Sequence, residues 1–364
     1  MMRAAVYLPE GRRGPGQHGE IDLDVLEVRS AELVLPEATI RDERGVELFD
    51  NGSLVFDHAW GGGPLAEPAL DRQARAFGLV NAAYHTQRAL RFCALLLGHS
   101  LPHLIVRIGM HEQPRHWGGG HYRLPGQGQQ ADPDAVTPTG EVHLGGGAGF
   151  VRTRDAQRYF HAPAHNTAII YHEIGHHLCR HTADFRLNRL RPPLQQTNKK
   201  TAVDEGTSDL ITAVLLGTPD IYGWHRQHVP EGDQRRRKLD PRWTMAHFQG
   251  GRDQDPHTDG TVWASACWSA RRRVAGAGVD PIRFDALLLR GLEQAGRDGG
   301  QRLTYEALRE RRHFSRLLAA MAQADPSLAP LVLAAMAEHG IHLGASNSGL
   351  GQAARAGQGR LVDA

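Results

Sequence analysis

The chain has 364 residues, with 42 Lys and Arg against 40 Asp and Glu, so its net charge at neutral pH is +2. This balance argues against a dedicated nucleic-acid-binding protein, which usually has a strongly basic face. No apolar run approaches the roughly 18 residues that a membrane-spanning helix needs, and the first residues lack the continuous apolar stretch of a secretory signal. We therefore predict a cytoplasmic protein with neither a nucleic-acid nor a membrane partner.

Strands are predicted in the first part of the chain. Residues 21–56 contain alternating apolar residues, and the pair Asn51–Gly52 between two apolar runs predicts a β-hairpin. The pattern then changes, because apolar residues at steps of three, four or seven predict a helix over 71–97. A strand over 104–110 follows.

The second part of the chain is predicted to be mainly helical. A glycine-rich stretch over 118–149 predicts loops with one exposed edge strand around Tyr122. Asn166 is a predicted N-cap for the segment NTAIIYHEIGHHLC. Further helices are predicted over 203–216 and 260–274.

These elements predict an α+β fold in four parts. The predicted parts are a β-rich N-terminal segment (1–70), an N-terminal catalytic lobe (71–182), a mainly helical C-terminal lobe (183–345) and a flexible tail (346–364).

The motif HEIGH, residues 172–176, carries the main chemical prediction. His172 and His176 stand at i and i+4, so on a helix their imidazoles share one face and suit two corners of a tetrahedral zinc site. Glu173 is then placed beside the position of a metal-bound water. The chain contains 22 His, and a shuffled chain of this composition would contain HExxH in roughly 6% of cases, so a third ligand is the deciding feature.

Two known sequence patterns could supply the third zinc ligand, and only the second is compatible with this chain. The pattern HExxHxxGxxH needs His at position 182, where this chain has Thr182, and His181 is one residue off. The segment DEGTSD instead offers Glu205 on a following helix, with Asp204 and Asp209 placed to accept hydrogen bonds from the ligand imidazoles. The simpler alternative is that these acids only stabilise a helix N-terminus.

HEIGH followed by DEGTSD resembles the gluzincin metallopeptidases of the thermolysin and fungalysin type. The segments at 80–92, 257–265 and 334–341 are similar to the long helix before the site, the catalytic-histidine segment and the closing helix of that family. The resemblance implies a thermolysin-like zincin fold that binds Zn²⁺ and cleaves polypeptides.

The resemblance also implies a role for each matching residue. His172, His176 and Glu205 would bind zinc, Glu173 would be the general base, and His257 would stabilise the oxyanion. Asp204 and Asp209 would orient the imidazoles.

Three family features lack a clear match, and one of them is the acidic cluster that binds calcium in thermolysin. The aspartate that precedes the family's catalytic histidine has Asp253 and Asp255 as candidates, and no tyrosine stands out for the oxyanion. Two alternatives to an endopeptidase stay open, the first because the oxyanion set is incomplete. One is a catalytically impaired zinc protein that binds polypeptides, and the other is a zinc aminopeptidase on the same frame.

The remaining residues receive simpler predictions. The edge strand around Tyr122 would pair with an extended peptide, and the loop 183–202 would form a wall of the cleft. The basic segment Arg235–Lys238 is predicted to be a solvated loop. The other histidines are predicted to face solvent or to be satisfied in the core, and the cysteines to be buried thiols.

Overall fold

Strands dominate the N-terminal part of the protein and helices the C-terminal part, a mixed arrangement compatible with the predicted α+β class. The computed structural model describes residues 1–8, 18–45, 47–49, 52–57, 61–65, 68–111, 117–123, 137–183, 201–229, 237–250, 255–298 and 312–343. The predicted tail, 346–364, lies outside these residues, as does nearly all of the predicted cleft-wall loop.

The strands that the structure describes all precede residue 162. Within the described residues they are β1 (Met2–Tyr7), β2 (His18–Leu23), β3 (Glu27–Arg29), β4 (Glu32–Val34), β5 (Ala38–Asp42), β6 (Leu104–Ile108), β7 (Gly120–Arg123), β8 (Glu141–Leu144), β9 (Gly149–Arg152) and β10 (Arg158–His161). The helices, apart from the first, follow residue 166. They are α1 (Pro68–Leu97), α2 (Thr167–His181), α3 (Ala202–Leu216), α4 (Gly223–His228), α5 (Pro256–Gly276), α6 (Ile282–Asp298), α7 (Arg312–Ala324) and α8 (Ala329–Glu338).

Six strands form the main sheet, in the order β3-β4-β5-β6-β8-β7. β6 is parallel to β5 and β8, whereas β7 is antiparallel to β8. Among the described strands β7 pairs only with β8, so the predicted edge strand around Tyr122 is confirmed. The Tyr122 side chain is itself buried, and its hydroxyl lies 3.2 Å from His177 Nδ1 of α2.

The long helix predicted over 71–97 is also confirmed. It is α1, which connects β5 to β6 and packs against β1, β5 and α2. Its residues Ala76, Val80, Ala83 and Leu90 are buried, as their periodic spacing predicts. This helix therefore joins the sheet to the helical layer.

The predicted hairpin at Asn51–Gly52 is wrong for the part that the structure describes. Residues 47–49 and 52–57 contain no strand, and Leu54 makes only an isolated bridge to Ala4. Leu48 is nonetheless buried, and its N–H donates to the carbonyl of Ser30 over 2.7 Å. The alternating apolar residues therefore belong to a buried segment without regular structure. Their pattern alone does not distinguish such a segment from a strand.

Three helices pack closely at the centre of the helical part. α3 packs between α2 and α5, where the indole of the fully buried Trp263 donates to Thr207 Oγ1 over 3.2 Å. A Cβ at Gly175 in α2 would lie 2.5 Å from Ser208 Cα in α3. A Cβ at Gly260 in α5 would lie 2.7 Å from the backbone nitrogen of Gly206 in α3. Glycine is therefore required for this spacing, which brings side chains of all three helices together.

Candidate metal centre

Helix α2 presents the HEIGH residues toward α3. Asn166 caps the helix, as predicted, because its side chain accepts from the backbone N–H groups of Ala168 and Ile169. His172 and His176 lie one turn apart with ring centroids 4.7 Å from each other, and both are buried. The i, i+4 spacing therefore places two imidazoles side by side, as the sequence predicts.

Helix α3 supplies the carboxylate that these imidazoles face. Thr201 caps α3 by accepting from the N–H of Asp204, and Asp204 and Glu205 occupy the first turn, where negative charge is favourable. Glu205 is only 3% exposed. A role limited to stabilising the helix end does not account for a carboxylate buried against two imidazoles.

Three imidazoles converge on one oxygen atom of Glu205. The Nε2 atoms of His172, His176 and His257 lie 3.1, 3.5 and 3.1 Å from Glu205 Oε2. Ligands bound to zinc at about 2.0–2.1 Å in a tetrahedron are about 3.3–3.4 Å from one another. The three distances to Glu205 Oε2 are close to this spacing, and His172, Glu205 and His257 form a group whose ligand atoms all lie within 4.8 Å of one another, so the group could hold a metal ion.

Each of the three imidazoles is also bound to an aspartate through its other nitrogen. The Nδ1 atoms of His172, His176 and His257 lie 2.8, 2.7 and 2.7 Å from carboxylate oxygens, and the partners are, in the same order, Asp209, Asp204 and Asp255. An ionised carboxylate only accepts hydrogen bonds, so each Nδ1 carries the hydrogen. In a neutral imidazole this leaves the lone pair on Nε2, on the side of Glu205, whereas a protonated imidazole donates from Nε2 to Glu205.

The charges in the centre shift the pKa values of its buried groups. Burial acts to lower the pKa of His172, but its hydrogen bonds to Asp209 and Glu205 raise it to about 9. Burial acts to raise the pKa of Glu205, yet the charges of His176 and His257 and the contact with His172 hold it well below its ordinary value. The raised pKa of His172 and the lowered pKa of Glu205 both indicate that positive charge is favourable next to Glu205. A divalent cation would supply that charge while leaving the imidazoles neutral.

Glu173 lies beside this centre with one carboxylate oxygen unpaired. The residue is 5% exposed, and its Oε2 is buried without a hydrogen-bond partner among the described residues. A Cβ at Gly120, at the start of the edge strand β7, would lie 3.0 Å from Glu173 Cγ. A buried acceptor without a partner is costly, so the site fits a donor such as a metal-bound water at this position.

Arg237 is a residue of the centre that the sequence prediction missed. The prediction of a solvated loop for Arg235–Lys238 is wrong at this residue, because Arg237 is 7% exposed and its Nη1 donates to Asp209 Oδ1 over 3.0 Å. Residues 231–236 lie outside the described part of the chain. Burial acts to lower the pKa of Arg237, but Asp209 raises it above its ordinary value, and Arg237 in turn keeps the pKa of buried Asp209 low.

The carboxylate next to His257 is Asp255. Of the two candidates, Asp253 lies outside the described residues, whereas Asp255 caps α5 and accepts from both the backbone N–H and Nδ1 of His257. An aspartate before Pro256 at the first position of a helix is the sequence signal for this cap. The imidazole of His257 stacks 6.1 Å from that of His172.

Comparisons with known proteins add no family assignment. A scan against protein-family models gives no match for this chain, and a search of curated proteins gives none either. Among the helices of the described residues, none combines the length and the apolar character needed to cross a membrane.

Proposed function

We propose that this protein is a zinc-dependent metalloendopeptidase with a thermolysin/fungalysin-like architecture that hydrolyses peptide bonds in polypeptides. The observation that carries the proposal is the convergence of three Nε2 atoms on Glu205 Oε2 beside the unpaired, buried carboxylate oxygen of Glu173. His172, His176 and Glu205 would hold the ion. Bound zinc supplies a water of lowered pKa and polarises a carbonyl group.

Glu173 then acts as the general base. Within the part of the chain that the structure describes, its Oε2 has no hydrogen bond to give up when it accepts a proton. Its position on α2 is fixed by the close packing of that helix against α3. The same carboxyl group returns the proton to the leaving amine. A positioned acid–base group of this kind contributes about 10²–10⁴ in rate.

His257 would stabilise the developing oxyanion. Asp255 accepts from Nδ1 of His257 and so fixes the ring, while Nε2 remains directed at the centre. Its side chain is 39% exposed, in contrast to the buried His172 and His176. His257 is therefore the imidazole of the three that a substrate reaches from solvent.

The edge strand β7 is proposed to bind the substrate backbone. The carbonyl of Gly119 accepts from the N–H of Gly145, and backbone groups alternate in direction along an antiparallel strand. Those of Gly118 and Gly120 therefore point away from β8, next to Glu173. An extended peptide that pairs with this edge would bring its carbonyl groups to the centre. Because the pairing uses backbone groups, many peptide sequences would be accepted.

A second candidate function, a zinc protein that binds polypeptides without cleaving them, is favoured by one observation. His257 Nε2 lies as close to Glu205 Oε2 as His172 Nε2 does, at 3.1 Å. With His257 as a fourth ligand the coordination sphere is closed, as in structural zinc sites. The two functions thus differ in whether one coordination position stays open for water.

The decisive experiment digests a peptide library with the wild type and with Glu173→Gln. We expect the zinc-loaded wild type to cleave internal bonds. The cleavage rate should fall by a factor of about 10²–10⁴ for Glu173→Gln, with equal zinc content in both proteins. The exposed Glu338→Gln is the matched control and should cleave like the wild type. N-acetylated peptides separate the activities, because an aminopeptidase needs a free amino terminus.

Two results would contradict the peptidase proposal. Equal cleavage by Glu173→Gln would remove Glu173 from the reaction. A zinc-loaded wild type that binds the library peptides but cuts none of them would establish the second candidate instead.

A further inference from the structure

A second histidine cluster lies on the main sheet, outside the centre formed by the helices. His111 follows β6, His121 is in β7 and His143 is in β8. The distances are 3.0 Å from His111 Nε2 to His121 Nε2, 3.2 Å from His111 Nε2 to His143 Nδ1, and 3.3 Å from His121 Nε2 to His143 Nδ1. One nitrogen from each ring therefore meets the other two at the corners of a nearly equilateral triangle.

The register of the sheet creates this triangle. His121 and His143 are directly opposed cross-strand partners in the β7–β8 ladder. The N–H of Met110 donates to the carbonyl of Leu144 over 3.0 Å, which brings the adjacent His111 to the end of β8. His111 adopts a left-handed backbone conformation, with φ of 56°, a conformation that is uncommon outside glycine and that concentrates at functional sites.

The two centres lie on opposite faces of the sheet. Neighbouring residues of a strand point to opposite faces, and Tyr122 points to α2, since its hydroxyl contacts His177. His121 therefore points away from α2 and from the HEIGH residues. The sheet cluster is a separate arrangement rather than an extension of the first centre.

Hydrogen bonding among the three rings does not satisfy this triangle. Each ring nitrogen offers in its ring plane either one hydrogen or one lone pair. Among three such atoms at least two are of the same kind, so at least one of the three close contacts sets lone pair against lone pair or hydrogen against hydrogen. A cation that accepts all three lone pairs removes this conflict.

The separations also suit a tetrahedral transition-metal ion. Imidazole nitrogens bound to zinc at about 2.0–2.1 Å lie about 3.3–3.4 Å apart, against the 3.0–3.3 Å found in the cluster. Ca²⁺ and Mg²⁺ prefer oxygen ligands, so a set of three nitrogens favours zinc or a similar metal. Three imidazoles leave one position for water.

A buried carboxylate orients one of the three ligands. His143 Nε2 lies 2.9 Å from Glu141 Oε2, and both residues are fully buried. Glu141 in turn accepts from Arg107 Nη1 over 3.3 Å and from the N–H of Thr137 over 2.6 Å. The hydrogen of His143 is thereby held on Nε2, and the lone pair of Nδ1 points into the triangle, as in carboxylate–histidine–metal sites.

Arg123 acts against metal binding at His121. Its Nη2 lies 3.3 Å from His121 Nδ1, and because a guanidinium only donates, this contact favours the tautomer with hydrogen on Nε2. Binding of a metal must displace that proton. Arg237 Nη1 of the helical centre also lies 3.4 Å from His172 Nδ1 and 3.5 Å from His172 Nε2. Every Nδ1 there nonetheless meets a carboxylate, so the sheet cluster is expected to hold its ion less tightly.

We propose that His111, His121 and His143 form a second site for a divalent transition-metal ion, with Zn²⁺ as the probe. Its three ligands come from the turn after β6 and from β7 and β8, so the ion ties the edge strand and the segment before it to the interior of the sheet. This proposal does not depend on peptidase activity at the helical centre.

The test is metal content, measured by mass spectrometry after equilibration in a zinc buffer. The variants are the double variant His111→Gln with His121→Gln, Glu205→Gln in the helical centre, and His247→Gln as a control at an exposed histidine outside both clusters. We expect about two zinc ions per chain for the wild type and the control, and about one for each of the other two variants. X-ray absorption of zinc-loaded Glu205→Gln should show imidazole nitrogens and water in the remaining site.

The same set of variants separates failure of this proposal from failure of the proposed function. If Glu205→Gln retains no zinc and the double histidine variant retains all of it, the sheet site is refuted while the helical centre stands. The reverse result supports the sheet site and refutes the helical one.

Circular dichroism shows whether the double variant folds. If it does not fold, a second measurement tests the proposal. Zinc should raise the melting temperature of Glu205→Gln, since a ligand that binds only the folded state stabilises it, and Arg123→Gln added to that background should increase the zinc affinity. A melting temperature insensitive to zinc in both proteins would overturn the proposal.

Discussion

The two histidine clusters differ in how the protein holds its donor atoms. In the helical centre each imidazole is backed by an aspartate and a fourth donor, Glu205, is anionic. In the sheet cluster the donors are three imidazoles, one backed by Glu141 and another facing Arg123. Among the described residues, the helical centre therefore has more carboxylates in contact with its imidazoles than the sheet cluster has. Replacing single groups around each cluster tests this difference.

Among these further changes, the largest effect is expected from His257→Gln. If His257 stabilises the oxyanion, the variant loses about 10²–10³ in kcat and keeps its zinc, because His172, His176 and Glu205 remain. The measurement is steady-state cleavage of an internally cleaved peptide together with zinc content. Loss of zinc in parallel with activity would instead identify His257 as a ligand, and zinc in the sheet cluster should be unchanged in either case.

Asp209→Asn is expected to weaken zinc binding in the helical centre by about 10–100-fold, the usual effect of losing a carboxylate behind a ligand imidazole. The buried Asp209 holds His172 and is itself held by Arg237. Competition with a chromophoric chelator measures both affinities in one titration. A matched change on the sheet, Glu141→Gln, should weaken only the sheet site, and equal effects of each variant on both sites would contradict the separation of the two clusters.

Gly175→Ala tests the helix spacing that assembles the first centre. The added methyl group would lie 2.5 Å from Ser208 Cα, a backbone atom that moves only with α3, so we expect a loss of about 1–3 kcal/mol in the free energy of unfolding and weaker zinc binding in the helical centre. Urea denaturation measures the first effect.

The control for this change is Gly276→Ala at the end of α5, where an added Cβ meets nothing within 4 Å. It should leave stability unchanged or slightly raise it. A similar loss of stability in both variants would show that close helix packing is not the cause.

The smallest effect concerns a buried histidine that belongs to neither cluster. Burial, with the neighbouring His161 and His228, lowers the pKa of His225 to about 3, below the value of about 6.5 of an unfolded chain. The unfolded state thus binds the proton first, so stability is full above about pH 6.5 and falls as the pH drops toward 3. At pH 5.5 the loss from this residue is about 1 kcal/mol relative to neutral pH.

His225→Gln should remove that part of the acid sensitivity, as measured by urea denaturation at pH 7.5 and pH 5.5 with a chelator present. The exposed His247→Gln should leave the pH dependence as it is in the wild type. An unchanged pH dependence in His225→Gln would show that this residue is not held neutral by burial.

The sequence predicted well where the relevant contacts are local along the chain. The capping residue Asn166 and the shared face of His172 and His176 follow from helical periodicity, and the long helix α1 follows from its apolar spacing. Glu205 was found by a motif rather than by geometry. The hairpin at Asn51–Gly52 was wrong because burial of an irregular segment imitates the alternation of a strand.

Other features were not predicted from the sequence because they depend on contacts between segments that are distant along the chain. His121 and His143 are 22 positions apart, and only the register of β7 against β8 sets them opposite each other. Arg237 lies in a basic segment that looks solvent-exposed, and its burial against Asp209 requires the helical layer to be in place. The one available signal for the sheet cluster was the high number of histidines, which does not say which of them meet.

By itself, therefore, the sequence determined the helix that carries HEIGH, its cap and the chemical type of the donors, because neighbours on a helix are set by spacing along the chain. Only the tertiary structure decided that Asp255 rather than another acid holds His257, that Glu173 has an unpaired buried oxygen, and that three histidines meet on the sheet. Those arrangements depend on strand register and on helices packed at glycine contacts, and the sequence spacing of the residues involved does not encode them.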